Sequence, residues 1–371
     1  MANKFKFYDI NRLIRSYPDA FYYMVIGERS NGKTYSTLSL ALKNYFERGE
    51  QFAYIRRWGE DVRKKRLSDL FSGHIENGVI LDLSKGEWSS VDYTGSRFRL
   101  CRAKEDGTAE YSDDTIGYAF DLNSMEHYKS TSFPKITTVI FDEFLSRQSY
   151  LPNEFLLFTN TLSTIIRLRT NVKIFMLGNT VNKYCPYFSE MGISHIKEQK
   201  QGTVDVYRYG QTKLEVVVEY CKASEVGSKK SDVYFAFDNP QLQMITTGAW
   251  EIAIYPHLPE KYKPKEVVAQ FFIDFDGELL HGNIIAKDNC VPFIFFHRKT
   301  TEIQSDNDFV YGQKPDASPF HRVGFANYQD ELTKFIRQAY VENRIFYAEN
   351  EVGEIFRNYI LWSQNQSITR R

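Results

Sequence analysis

The stretch FYYMVIGERSNGKT, residues 21–34, decides the fold of the chain. Its first six residues are a continuous apolar run, which is typical of a strand buried on both faces of a parallel sheet. Residues 35–46 then carry apolar side chains at helical spacing, and Gly49 is suited to end that helix. A buried strand, a glycine-bearing turn and an amphipathic helix in this order predict a phosphate-binding loop in an α/β fold.

The turn between the strand and the helix matches the pattern GxxxxGK[ST] of nucleotide-binding loops. The match consists of Gly27, Glu28, Arg29, Ser30, Asn31, Gly32, Lys33 and Thr34. Glycines let the backbone wrap closely around phosphates, and the positive end of the following helix faces the same groups. We predict that the loop binds ATP, that Lys33 reaches the β- and γ-phosphates, and that the Thr34 hydroxyl is a ligand of Mg²⁺.

Two acidic residues follow another strongly apolar segment. Residues 137–141, TTVIF, read as a buried strand that ends in Asp142 and Glu143. Ligands of open α/β sheets bind beyond the carboxyl ends of the strands, so both acids are expected beside the phosphate loop. Asp142 is predicted to hold Mg²⁺ and Glu143 to polarise the attacking water, which favours ATP hydrolysis over phosphate transfer. Two solvated acids at a strand end are the alternative.

Further side chains are candidates for contacts with the reacting phosphate. Asn179 follows another apolar strand and is expected to contact the γ-phosphate or the water, although a plain Gly-Asn turn has the same sequence. Arg167 and Arg169 close a helix predicted over residues 153–167. Both are suited to the negative end of that helix, and Arg167 is the candidate arginine finger for a neighbouring subunit's ATP. Lys129 is a second candidate.

The spacing of these segments predicts the domain organisation. Strands and helices alternate over residues 1–200, which predicts a P-loop NTPase domain with a parallel sheet and helices on both faces. Residues 201–261 carry an antiparallel strand pair and a polar segment, and we predict a connecting subdomain there. Residues 262–371 read as a smaller α+β domain of three strands, a helix, a short strand and a final helix.

The composition is that of a folded protein without overall charge. Apolar residues make up 42% and charged residues 25% of the chain, and 47 basic residues balance 47 acidic ones. Contacts with DNA must therefore come from local clusters such as residues 63–66. The four cysteines lack the spacing of a zinc site, and no apolar stretch has the length of a membrane span. We expect a cytoplasmic protein without membrane contact.

Together these motifs resemble the DNA-packaging ATPases of small podophages with protein-primed linear genomes. Besides the phosphate loop, the resemblance rests on GEQFAYIRR at 49–57, VIFDEF at 139–144, YLPNE at 150–154 and LGN at 177–179. It covers residues 5 to about 195. Those ATPases belong to the additional-strand class of P-loop proteins and are distantly similar to the FtsK and HerA translocases.

The resemblance implies a motor that hydrolyses Mg-ATP to drive double-stranded viral DNA into a preformed prohead. The implied partners are DNA, further copies in a homopentameric ring and the portal of the prohead, with a packaging RNA left open. Arg167 matches the family's arginine finger, which acts in trans, and Lys129 matches a basic residue proposed to act at the subunit interface. The implied location is the cytoplasm of the infected bacterial host, transiently on the prohead.

One departure from the family pattern concerns its first basic segment. The family has a lysine soon after the paired arginines, whereas Trp58 and Gly59 follow Arg56 and Arg57 here. The basic residues at 63–66 either take that role or form a solvated helix face.

The predicted C-terminal domain resembles the RNase H-type nuclease domain of large terminases. A nuclease needs several carboxylates that converge on metal ions, and Asp274, Asp276, Glu331 and Glu349 are the candidates. The resemblance implies that cleavage has been lost and that the domain contacts DNA or the portal. Two alternatives remain for the whole chain: an assembly or secretion ATPase of the Zot kind, and a terminase with an active nuclease domain.

Overall fold

The computed structural model divides the chain into two compact units. It describes residues 8–124, 131–147, 150–222, 249–251, 253–258, 261–288, 290–301, 303, 308–325 and 328–368. The first unit comprises Met1–Ser146, Asn153–Lys183 and Glu190–Trp250, and the second comprises Arg147–Pro152, Tyr184–Ser189 and Glu251–Arg371.

A nine-stranded sheet forms the centre of the first unit. Its strands are β1 (Tyr22–Gly27), β2 (Gln51–Arg56), β3 (Ser90–Thr94), β4 (Arg97–Ala103), β5 (Ala109–Asp121), β6 (Ile136–Asp142), β7 (Lys173–Asn179), β8 (Thr203–Arg208) and β9 (Glu215–Tyr220). They lie in the order β3-β4-β5-β2-β6-β7-β1-β9-β8. In this spatial order, the neighbouring strands β5, β2, β6, β7, β1 and β9 all pair in parallel. Antiparallel strands extend both edges, with β3 and β4 beside β5 and β8 beside β9.

The helices along the chain are α1 (Ile10–Ser16), α2 (Lys33–Arg48), α3 (Lys64–Leu67), α4 (Ser72–Glu76), α5 (Val79–Leu83), α6 (Glu154–Ile166), α7 (Pro186–Glu190), α8 (Glu331–Val341) and α9 (Asn350–Ile368). Helix α2 follows the glycine-rich turn and ends at Gly49, as predicted. Gly49 adopts a left-handed conformation with φ of 68°; its N–H donates to the carbonyl of Tyr45, and the N–H of Glu50 donates to that of Asn44, which caps the last turn.

The central strands confirm the predicted parallel sheet of an α/β fold. All seven residues of β6 are buried, as is every residue of β1 after Tyr22. Helices α2 and α6 both pack against β6. Continuous burial explains why these strands read as unbroken apolar runs in the sequence. The carboxyl ends of β1, β2, β6 and β7 consequently meet at one edge of the sheet.

The predicted connecting subdomain differs from the observed arrangement. Its antiparallel pair is present as β8 and β9, but β9 also pairs in parallel with β1, so both strands extend the first unit's sheet. All residues of β9 after Glu215 are buried, which a strand in an exposed connection would not allow. The polar segment predicted over residues 223–239 lies outside the described residues.

A six-stranded sheet forms the centre of the second unit. Its strands are β10 (Val267–Phe275), β11 (Glu278–Ile285), β12 (Phe293–Arg298), β13 (Phe309–Gly312), β14 (His321–Val323) and β15 (Ile345–Tyr347), in the order β14-β13-β10-β11-β12-β15. The predicted succession of three strands, helix, short strand and helix is present, and the short strands β13 and β14 precede its first helix. Aromatic side chains such as Phe271, Phe296 and Tyr311 fill the core together with residues of α8 and α9. Among the described residues, no helix has the length and apolarity to cross a membrane.

Candidate nucleotide site

The predicted phosphate loop joins β1 to α2, and hydrogen bonds from one of its own side chains stabilise its conformation. Lys33 is buried, and its Nζ donates to the carbonyl of Glu28 at 2.6 Å and to Oδ1 of Asn31 at 3.1 Å. Burial lowers the pKa of Lys33. Ser30 and Gly32 have φ values of 59° and 93°, so the chain turns twice through left-handed backbone. The loop thus has the tight curvature that phosphate binding requires.

Gly27, the first glycine of the loop, is required because a neighbouring segment of the chain packs closely against it. A Cβ on Gly27 would lie 2.8 Å from the Cβ of Cys221, which follows β9. The N–H of Cys221 donates to the carbonyl of Ile26 at 2.7 Å, which fixes this close approach. Burial raises the pKa of the Cys221 thiol to about 12, so it is neutral beneath the loop.

The predicted Mg²⁺ ligands lie side by side. The Thr34 hydroxyl is 3.2 and 3.3 Å from the two carboxylate oxygens of Asp142. The Tyr54 hydroxyl donates to Asp142 at 2.9 Å, and burial raises the pKa of this carboxyl. Hydroxyl and carboxylate oxygens suit Mg²⁺, and a cation here would offset the cost of ionising a buried acid. The residues therefore fit the metal that the sequence predicts.

The predicted sensor residue reaches the phosphate loop. Asn179 ends β7 opposite Gly27, and its Oδ1 lies 3.4 Å from Nζ of Lys33. The preceding Gly178 is a point of close approach, because a Cβ there would lie 2.9 Å from side-chain atoms of both Phe144 and Leu145. The end of β7 thus contacts the loop on one side and the segment after β6 on the other.

The predicted base stands on a left-handed turn. Glu143 has φ of 56°, an uncommon conformation for a residue other than glycine. Its N–H donates to Oδ1 of Asp142 at 3.0 Å, and its side chain is 57% exposed. The Arg56 guanidinium contacts the Glu143 carboxylate at 2.6 Å. The carboxylate is therefore accessible to water and is paired with a cation.

Side chains from the end of β2 enter the site without having been predicted as site residues. Besides Tyr54 and Arg56, Arg57 is buried and pairs with Glu154 through Nε at 2.7 Å. Their position at the end of a strand could have identified these side chains as site residues. Strand β2 is parallel to β6, so its carboxyl end lies at the same sheet edge as Asp142.

The two arginines after α6 have different surroundings. Arg167 is exposed, has φ of 55°, and donates to the carbonyl of Thr131 at 3.1 Å. Arg169 donates to five backbone carbonyls, those of Phe133, Pro134, Ile136, Ile165 and Ile166. Arg169 is therefore a structural residue, whereas Arg167 has an accessible guanidinium. The other candidate, Lys129, lies outside the described residues.

The basic cluster at 63–66 is exposed and mostly paired with acids. Arg63 pairs with Glu60, Lys64 lies 3.4 Å from Asp92, and Arg66 pairs with Asp61. Surface pairs of this kind contribute little to stability and separate readily. The cluster is thus a solvated face whose charge is partly balanced locally.

The candidate nuclease carboxylates of the second unit do not form a metal site. Glu349 pairs with Arg298 at 3.1 Å, and this arginine also pairs with two further glutamates. Glu331 is 95% exposed and pairs with Lys334. Across the part of the chain that the structure describes, no group of three or more His, Cys, Asp or Glu residues could hold a metal ion.

Comparisons with known proteins agree with the predicted resemblance. The family described as "Podovirus DNA encapsidation protein (Gp16)" matches residues 89–207. The "DNA packaging protein" of Bacillus phage B103 is 30% identical over 172 residues, which are 46% of this chain and 47% of that protein. The chain thus spans about half the length of the curated relatives it matches. The resemblance to podophage DNA-packaging proteins is confirmed over this part of the sequence.

Solved structures show the shared fold. The chain is similar to "The bacteriophage Phi-29 viral genome packaging motor assembly", with a TM-score of 0.55, 20% identity, and coverage of 95% of this chain and 99% of that one. It is also similar to "The Phi-28 gp11 DNA packaging Motor", with a TM-score of 0.51, 20% identity, and coverage of 96% and 98%. The predicted P-loop α/β fold is therefore confirmed.

Proposed function

We propose that this chain is a Mg-dependent ATPase that uses hydrolysis to move double-stranded viral DNA into a prohead. The observation that carries the proposal is the meeting of the phosphate loop, Thr34 and Asp142 at one sheet edge, with Thr34 and Asp142 within 3.3 Å. An accessible carboxylate, Glu143, stands next to them. Relatives named DNA packaging proteins share about half of the chain at 30% identity, which supports DNA as the cargo.

Each residue has a separate role in the proposed site. The loop amides and Lys33 bind the phosphates, and Thr34 and Asp142 hold Mg²⁺. Bound Mg²⁺ neutralises charge on the phosphates. Glu143 orients a water and accepts its proton. Asn179 lies within hydrogen-bonding reach of Lys33 and is suited to contact the γ-phosphate region.

The ion pair between Arg56 and Glu143 bears on the water-activating step. A carboxylate that is held by a guanidinium at 2.6 Å has part of its hydrogen-bonding capacity occupied. The remaining lone pairs of the carboxylate stay available to a water, and a shift of the pair would free the others. Arg56 also lies 3.5 Å from Asp61, which provides a second acceptor for its guanidinium.

The placement of Arg167 supports assembly into a ring. An exposed arginine at the end of α6 suits the completion of a neighbour's site, so we propose a homo-oligomeric ring, of five copies as in the family that the sequence resembles. The portal is the proposed docking partner. The cytoplasm of the infected cell and the prohead are the proposed locations, and the second unit is proposed to contact DNA or the portal without cleaving DNA.

The test is ATP hydrolysis measured with and without double-stranded DNA and proheads. We expect Mg²⁺-dependent hydrolysis that DNA together with proheads stimulates, and DNA that becomes protected from added nuclease as it is packaged. Hydrolysis that responds to neither DNA nor proheads would contradict the motor function. Cleavage of the DNA by the purified protein would instead favour an active terminase.

A further inference from the structure

Arg57 holds the backbone of the turn that carries Glu143. Its Nη1 donates to the carbonyl of Glu143 at 3.3 Å and its Nη2 to the carbonyl of Phe144 at 2.6 Å. The Nε of the same guanidinium donates to Glu154 at 2.7 Å. Both charged side chains are almost fully buried, with 6% of Arg57 and none of Glu154 exposed. One planar group thus fixes two consecutive peptides and is itself fixed by a buried carboxylate.

The turn needs such support because its backbone is strained. Glu143 has φ of 56°, and left-handed conformations of residues other than glycine persist only where the surroundings determine them. The N–H of Phe144 also donates to the carbonyl of Leu177 at 3.2 Å. Arg57, directly after β2, and Leu177 in β7 therefore hold the turn from both sides of β6.

The adjacent arginines contact different parts of Glu143. Arg56 contacts the carboxylate, whereas Arg57 contacts the backbone carbonyl. A change at Arg56 alters the partner of the side chain directly. Arg57 contacts the backbone from which the side chain leaves the turn.

We propose that Arg57, held by Glu154, is a positioning residue that keeps the turn after β6 in the conformation that aims the Glu143 carboxylate. The inference rests on the proposed function, because Glu143 is the base of that hydrolysis. A rigid guanidinium fork is needed, since a lysine presents one compact ammonium and cannot reach three acceptors in this geometry.

The first test compares Arg57→Lys with wild type. We expect kcat for ATP hydrolysis to fall by about a hundredfold, since a small misplacement of a reacting group has an effect of that order, while KM stays within about twofold. Hydrogen–deuterium exchange of a peptide covering residues 141–147 should become about tenfold faster, because the turn opens more often. An unchanged exchange rate of this peptide would overturn the proposal.

Arg169→Lys is the matched control. It also removes a guanidinium that donates to backbone carbonyls, but at the start of β6, where Ile136 lies. We expect faster exchange around residues 133–136 in this variant and an unchanged rate over 141–147. Equal acceleration over 141–147 in both variants would overturn the proposal, because it would show general loosening of the unit.

A double variant separates positioning from simple charge balance. Arg57→Met combined with Glu154→Met removes both buried charges, and such replacements are often neutral or stabilising. We expect stability near wild type with kcat as low as in Arg57→Lys. If kcat returns to the wild-type value, Arg57 only balances Glu154 and does not position Glu143. A wild-type chain without ATPase activity would refute the proposed function, and the exchange rates would still decide the role of Arg57.

Discussion

Replacing Arg167 by alanine should abolish hydrolysis while leaving the fold almost unchanged. The side chain is exposed and makes one described hydrogen bond, to the carbonyl of Thr131 at 3.1 Å. Losing one such bond on the surface costs about 0.5–1 kcal/mol. Alanine keeps the positive φ at this position, so no strain is released. Arginine fingers contribute about 10³–10⁵ to the rate, so activity should fall far more than stability.

Arg169→Ala gives the opposite expectation two residues away. This side chain donates to five backbone carbonyls, two at the end of α6 and three in the connection to β6 and its first residue. Its removal leaves several of them without that donor, which should lower the free energy of unfolding by about 2–4 kcal/mol. Chemical denaturation of both variants measures the contrast. Comparable destabilisation of both would show that Arg167 is also structural.

Mixing two inactive proteins then tests whether Arg167 acts in trans. Arg167→Ala subunits retain Glu143, and Glu143→Gln subunits retain Arg167. In mixed rings, an Arg167→Ala subunit beside a Glu143→Gln neighbour should regain hydrolysis, which a coupled ATPase assay follows over a series of mixing ratios. If no ratio restores activity, with ring formation shown by native mass spectrometry, the arginine does not act on a neighbour's nucleotide and this reasoning is refuted.

Three further outcomes are expected. Glu143→Gln should bind a fluorescent ATP analogue like wild type but lose turnover, whereas Lys33→Ala should lose binding; normal hydrolysis by the Glu143 variant would show that another group is the base. DNA affinity should fall steeply with salt and show no sequence preference in filter binding, since the proposed motor must contact the phosphates of any sequence; a preference that persists at high salt would contradict this. Burial lowers the pKa of His74 from 6.5 to about 4. Between these pH values the imidazole is protonated in the unfolded state but not in the folded state, so the free energy of unfolding should fall as pH drops from 7 to 5. His74→Gln should reduce that loss by about 2 kcal/mol at most in denaturant titrations, and an equal loss in both proteins would contradict the assignment.

The sequence predicts those parts of the site that follow from local patterns. The phosphate loop, the pair Asp142 and Glu143, and Asn179 each stand at the carboxyl end of a strand whose central residues are all buried, so an apolar run followed by a polar residue identifies them. Strand β5 is harder to predict because exposed and half-buried residues alternate over its first half. No unbroken apolar run marks where it begins.

Long-range contacts explain what the sequence does not predict. Arg57 and Glu154 are 97 positions apart, and neither has a neighbour in the sequence that indicates the pairing. Likewise, the sequence shows both Arg167 and Arg169 as cations suited to a helix end, and only the fold brings the carbonyls of 133–136 to Arg169. The division of roles between them is therefore a property of the tertiary structure.

Arg57 and Arg169 also connect the candidate base, Glu143, to the candidate finger, Arg167. Through Glu154, Arg57 ties the turn after β6 to the first turn of α6, and Arg169 ties the end of α6 to the connection before β6. Helix α6 has 13 residues and is about 20 Å long, so β6 and α6 are fastened to each other at both ends. A shift of Arg167 against a neighbouring subunit would therefore move α6 as a rigid element and reach the Glu143 turn through Glu154 and Arg57. In that case Arg57→Lys, introduced into the Glu143→Gln subunit that donates Arg167 and hydrolyses no ATP itself, should weaken the restoration of activity in its neighbour. Full restoration in that variant would mean that the two ends of α6 act independently.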